Sequence, residues 1–160
     1  MGDIPDKDHL STSLNSYGGS ISTDNNKFVF TMASLGYIAF YEESNEKAHK
    51  KVWDHYIEAP IYNGNQLNRK ELKLGFSDVK MTKNYIFCSY FGEKLSRKNL
   101  KTLKARNILV FDHEGNILKN LRANRSVAKI TVSEDEKTLY AVTDEPEIAI
   151  IRFDITNLLN

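Results

Sequence analysis

The side chains able to do chemistry are few in this chain, and they are scattered. Histidines stand at His9, His49, His55 and His113, and the single cysteine, Cys88, lies mid-run among Ile86, Phe87 and Tyr90. A local metal site needs ligands at spacings such as His-x-x-x-His on a helix, and none occurs. His49 and His55 are an even number of residues apart, so on one regular strand they share a face, a pattern that fits exposed outer-strand histidines better than a metal pair. Cys88 has no basic neighbour in the sequence to hold a thiolate, so it reads as a buried, inert thiol. There is no Gly-x-Ser-x-Gly elbow and no phosphate-cradling glycine loop, and Gly18-Gly19 precedes a strand rather than a helix, so it reads as a bend. Carboxylates fall singly or in turns, at Asp24, Asp78, Glu134-Asp135-Glu136 and Asp144-Glu145. These residues define no catalytic set, no metal-ligand set and no cofactor motif.

The strongest local signal is charge. Lys94, Arg97, Lys98, Lys101, Lys104 and Arg106 place six cations and no acid in thirteen residues, and Arg69, Lys70 and Lys73 form a second group offset in part by Glu71. Because the chain carries +1, the residues outside the 94–106 stretch sum to −5. A local positive field of this kind concentrates anionic partners, whether acidic glycan, phosphate or an acidic protein surface. The plainer reading is a solvated loop that keeps an edge soluble. Nucleic acid is disfavoured, because the interleaved apolar residues are Leu95, Leu100 and Leu103 rather than stacking aromatics. Those leucines can instead pin a short helical turn within 96–104.

The elements that must carry these residues are strands. A chain of 160 residues with 41% hydrophobic content can bury one substantial core. One cysteine rules out an internal disulfide framework, and no apolar run is long enough for a membrane-spanning helix. The opening MGDIPDKDHL lacks the basic and apolar regions of a signal peptide, and Asp6 stands where a myristoylation motif needs Ser or Thr. Asn124-Arg125-Ser126 matches a glycosylation sequon, a pattern too common to weigh. Aromatic and β-branched residues gather in short alternating runs separated by turn residues, which predicts an all-β chain. ILVFDHEGNILKNL, residues 108–121, is a hairpin whose Gly115 supplies the positive φ that the turn needs.

Three segments superimpose: ISTDNNKFVF from Ile21, VKMTKNYIFC from Val79 and VSEDEKTLYA from Val132. Each is followed by a third strand bearing an aromatic, taken as Phe40, Phe111 and Phe153, and the first two add a fourth strand around Val52-Trp53 and Ile117-Leu118. Four antiparallel strands repeating at roughly fifty residues predict β-propeller blades, over approximately 17–58, 75–122 and 126–156, after an extension covering 1–16. An antiparallel sandwich with similar hairpins is the alternative. On the propeller reading Trp53 packs against the neighbouring blade.

The tracts ILVFDHEGNILKNL, VAKITVSEDEKTLYAVTDEPEIAIIRFDI and SYGGSISTDNNKFVFTMASLGYIAFYE resemble the TolB-like six-bladed β-propeller family of Bacteroidetes. The likeness rests on structural motifs: Gly115-Asn116, the Phe-Asp pairs 111–112 and 153–154, and Glu145-Pro146. It implies a partial propeller, about three four-stranded antiparallel blades or half of a six-bladed ring. It also implies a binding or interaction module rather than an enzyme, with a periplasmic or cell-surface address if the chain is a truncated fragment. The alternative that the family leaves open is a lactonase-like hydrolase with its site in the central channel, for which Asp78 on an inner strand is the residue to watch. The third unit stops without an outer strand, so the chain is a fragment of a longer product, or two copies pair to complete a ring, or the arc is capped in some other way.

In a meander, successive connections alternate between the two sides of a blade. The two long connections, 58–74 and 91–107, therefore emerge on the same side, and the opposite side carries tight turns. Long loops on one side of a rigid scaffold are where binding resides. The expected ligand-binding residues are Lys94, Arg97, Lys98, Lys101, Lys104, Arg106, Arg69 and Lys70, meeting a protein or an anionic glycan or small ligand.

Overall fold

The computed structural model describes residues 19–44, 49–64, 66–68, 70–94, 96, 98–99 and 101–158. Among these it is all β, with no helix. The strands are β1 (Gly19–Asp24), β2 (Lys27–Met32), β3 (Tyr37–Glu43), β4 (His49–Tyr56), β5 (Tyr62–Asn63), β6 (Gln66–Leu67), β7 (Phe76–Met81), β8 (Ile86–Tyr90), β9 (Asn107–Phe111), β10 (Ile117–Arg122), β11 (Lys129–Val132), β12 (Thr138–Thr143) and β13 (Ala149–Asp154). They pair antiparallel as β1-β2-β3-β4, β7-β8-β9-β10 and β11-β12-β13, here called blades 1, 2 and 3, with β5-β6 as a separate two-stranded hairpin. The period-2 pattern of apolar residues specifies these strands, because each sheet must bury one face against a neighbour.

The first strand of each blade lies innermost: β1 packs beside β7, and β7 beside β11. One core joins Val29, Ile38 and Phe40 of blade 1 to Val79, Met81, Ile86, Cys88, Leu109 and Phe111 of blade 2. A second joins Phe87, Ile108 and Val110 of blade 2 to Ile130, Val132, Leu139 and Ala141 of blade 3. Each large side chain fully buried there contributes on the order of 1.5–3 kcal/mol. Blade 2 thus has a leading face, packed on blade 1, and a trailing face, packed on blade 3, and the same two terms name the corresponding faces of blades 1 and 3. The backbones of blades 1 and 2 approach so closely that a Cβ at Gly75 would sit 2.1 Å from the nitrogen of Gly36, so only glycine fits there.

Register corrects two expectations. Phe28 pairs with Tyr41, Ile86 with Phe111 and Leu139 with Phe153. The residue equivalent to Phe111 and Phe153 is therefore Tyr41, while Phe40 lies on the trailing face, the counterpart of Val110. The aromatic-acid pair that repeats is Tyr41-Glu42, Phe111-Asp112 and Phe153-Asp154. Second, β4 pairs Trp53 with Phe40 but Lys51 with Tyr41, so Val52 is an extra, bulged residue. The bulge breaks the alternation and sends His49 and His55 to opposite faces: the His49 ring meets Phe28 edge-on, and the His55 ring stacks on Trp53.

Candidate functional site: the long-loop face

Both long connections run over the same side of the arc and hold each other. Leu74 N–H donates to the Glu93 carbonyl at 2.9 Å and Gly92 N–H to that of Leu74 at 3.0 Å, while Lys73 and Lys94 form an isolated antiparallel bridge. The first connection folds back on itself through the β5-β6 hairpin, an element that its polar sequence did not signal. Around Asn99 the described residues of the second connection form turns, within the 96–104 stretch for which the sequence predicts a short helical turn. The Asn99 side-chain oxygen accepts from Ser96 N–H at 2.7 Å, its amide donates to the Lys94 carbonyl at 2.8 Å, and its own carbonyl accepts from Leu103 N–H. The opposite side carries the tight turns. There Asn84 bonds Glu136 twice, at 2.9 and 2.6 Å, and the His113 ring meets the Thr82 carbonyl at 3.0 Å.

The cations predicted for this face divide into three groups. Lys94 pairs with Glu71, Lys104 with Asp144, and Arg106 with Glu145 at 2.6 Å, the last also donating to the Asn124 carbonyl at 2.9 Å. Lys73 likewise meets Glu58 at 2.6 Å. Lys70, Lys98 and Lys101 are exposed and make no ion pair among the described residues. Arg69 and Arg97 lie outside the described residues, as do Leu95 and Leu100. The charge excess read from 94–106 is therefore partly compensated, and the compensating acids come from other loops of the same face. Glu71 was the one legible partner. Asp144 and Glu145 stand some forty residues away, and only the return of the β12–β13 connection to this side brings them in.

Those acids belong to a latch that sequence reasoning missed. Ser126 Oγ donates to Asp144 Oδ1 at 2.6 Å and lies 2.9 Å from Thr143 Oγ1, while Ser126 N–H donates to Glu145 Oε2 at 2.7 Å. The hydrogen bond from Lys104, then that from Ser126, hold the Asp144 carboxyl below its ordinary range. The Asp144-Glu145 pair between two apolar runs was the available signal. Beneath the loops, burial first and the charge of Glu58 second push the Tyr90 phenol up to about 12.

The remaining candidates have structural partners. Asp78 is buried, accepts Ile130 N–H at 2.9 Å and Lys129 Nζ at 3.1 Å, and so fastens blade 2 to blade 3. Cys88 is fully buried, and burial followed by the charge of Asp78 raises its thiol well above the usual range. Trp53 packs across the blade boundary as expected, stacked on Phe40 with its indole N–H donating to the His113 carbonyl at 2.8 Å. Among the described residues no group of three or more His, Cys, Asp or Glu is placed to hold a metal ion, and no helix is long and apolar enough to cross a membrane.

Radially packed antiparallel blades, two of four strands and one of three, with extended connectors on one side, define a β-propeller arc. The chain belongs to the family described as TolB-like 6-blade propeller-like, whose pattern matches residues 21–135. No curated protein matches it. Among solved structures it is similar to Hsv2 of Kluyveromyces lactis, at 16% identity over 89% of this chain and 38% of that one, with a TM-score of 0.57. It is also similar to Hsv2 of Kluyvelomyces marxianus, at 16% identity over 88% of this chain and 36% of that one, with a TM-score of 0.53. BamB from Moraxella catarrhalis aligns at 14% identity over 83% and 30%, with a TM-score of 0.49. At 16% identity the likeness to the two Hsv2 structures is one of fold, and the chain spans about a third of the length of the three structures.

Proposed function

We propose that this protein is a non-catalytic β-propeller module that binds through its long-loop face, and that the partner there is anionic, an acidic protein surface or an acidic glycan. The observation that carries the reading is the state of Lys70, Lys98 and Lys101. All three are exposed on connectors fixed to one another and make no ion pair among the described residues. Their neighbours Lys94, Lys104 and Arg106 are engaged in holding the loops, so the two sets have separate roles: one shapes the surface and the other meets the partner. Such a surface attracts anions over about a Debye length, roughly 8 Å at physiological ionic strength, and loses that attraction in salt.

The test is titration of a sulfated polysaccharide and of a poly-glutamate peptide against the native chain and a Lys70→Gln, Lys98→Gln, Lys101→Gln variant. The native chain binds, salt weakens it, and the variant loses most of the affinity while keeping its thermal midpoint. Equal affinity of the two chains for both probes overturns the proposal.

A further inference from the structure

The two ends of the arc carry faces of the kind that meet inside it. On the leading face of blade 1, Met32, Tyr37 and Ala39 at one end are already buried in a cluster with Leu35 and Leu72, while towards the other end Ile21 is 65% exposed and Phe28, Phe30 and Tyr41 are only half-buried. Register makes Val79, Ile86, Cys88 and Phe111 their equivalents in blade 2, and those four are buried against blade 1. On the trailing face of blade 3 stand Thr131, Tyr140, Val142, Ile150 and Arg152, with Ile150 77% exposed. Their equivalents in blade 1 are Ser22, Val29, Thr31, Ile38 and Phe40, all five of which are buried. A shallow, mostly apolar concavity of about 320 Å³ lies among Lys129, Thr131, Tyr140, Val142 and Ile150. One end is thus chemically the trailing half of a blade–blade interface, and the other is the leading half.

We propose that a second copy of this chain occupies these faces, blade 3 of each copy docking on blade 1 of the other, so that two three-bladed arcs close a six-bladed ring. Two features of the internal joints fit the ends specifically. At the blade 1–blade 2 joint, Ser22 Oγ accepts the inner-edge N–H of Met81 at 2.8 Å. By register Thr131 stands where Ser22 does and Thr23 where Met81 does, so the Thr131 hydroxyl of one copy accepts the Thr23 N–H of the other. Arg152 occupies the Phe40 position and makes no ion pair among the described residues. Inside the arc that position packs in one core with Phe111, whose blade 1 equivalent is Tyr41. Tyr41 is stacked on Phe28 with ring centroids 4.7 Å apart, an electron-rich face that receives a guanidinium. A pair of equivalent joints about one two-fold axis leaves no end face open, which is why this contact closes and does not propagate.

The test is the solution mass of the native chain by sedimentation equilibrium at tens of micromolar, together with Ile21→Glu and Ile150→Glu. Both positions are exposed in the arc, so the far-UV spectrum stays native; Ile21→Ser and Ile150→Ser replace either variant that fails this control. The expected mass is twice the 18.3 kDa of one chain, and each substitution alone returns it to one chain. A native mass of one chain overturns the proposal, as does a mass that grows without limit. Sensitivity to the Ile150 substitution but not to that at Ile21 also overturns it, because that pattern means that two copies meet through blade 3 alone.

Discussion

Replacing Asp78 with alanine tests whether blades are joined by a backbone hydrogen bond or by an ion pair. The carboxylate is buried and makes two contacts with blade 3: Ile130 N–H at 2.9 Å, itself buried, and Lys129 Nζ at 3.1 Å, whose side chain is 62% exposed. A pair with one solvated partner is worth well under about 1 kcal/mol. A buried N–H accepted by a charged oxygen is worth about 1.5–3 kcal/mol, because its loss leaves the donor dry and unpaired. Asp78→Ala should therefore cost about 2–3 kcal/mol, or roughly 4–12 °C of melting temperature at this chain length. Lys129→Ala should cost less than about 0.5 kcal/mol. Asp78→Asn keeps an oxygen for Ile130 and should fall between them, near 1 kcal/mol. Urea unfolding of the three variants, with exchange of the Ile130 amide followed in the native state, separates the contributions. Equal losses for Asp78→Ala and Lys129→Ala, or an Ile130 amide that exchanges no faster in Asp78→Ala, would refute this account of the joint.

Three further outcomes can be checked. At Gly115, where φ is +91° and a Cβ would come within 2.8 Å of His55 Nε2 and 2.9 Å of the Trp53 ring, Gly115→Ala should destabilise by about 1–3 kcal/mol in thermal melts and alter the tryptophan emission. Glu136 titrates below the ordinary glutamate range: desolvation raises it, but the hydrogen bonds of Thr82 and Asn84 and the charge of His113 together outweigh that. A folded pKa below the unfolded one means that its stabilisation is present above the unfolded value and is lost as pH falls through the folded one. Melting temperature should thus drop on acidification below about pH 4.5, and Glu136→Gln should flatten that slope. The Cys88 thiol, fully buried with its pKa raised, should react with Ellman's reagent only on unfolding, so rapid labelling of the native chain at pH 8 would contradict its placement.

Much of the architecture was legible because strands announce themselves by alternation and turns by their residue types. The hairpin read over residues 108–121 is formed by β9 and β10, and the three-fold recurrence of one internal order led to radial blades and the propeller family. The bulge at Val52 was not legible, since an extra residue leaves composition unchanged and shows only in the pairing partner. The same limit hid the equivalence of Tyr41 with Phe111: Phe40 and Tyr41 are adjacent aromatics, and only the register of β2 on β3 decides which faces which side.

The candidate site shows the division most clearly. Order along the chain determined that both extended connectors emerge on one side, because a meander alternates its turns, and it located six cations in one of them. Which cations stay free was decided only in three dimensions. Glu71, Asp144 and Glu145 are brought against Lys94, Lys104 and Arg106 by the packing of separate blades, and a pairwise charge interaction depends on distance in space rather than on separation in sequence.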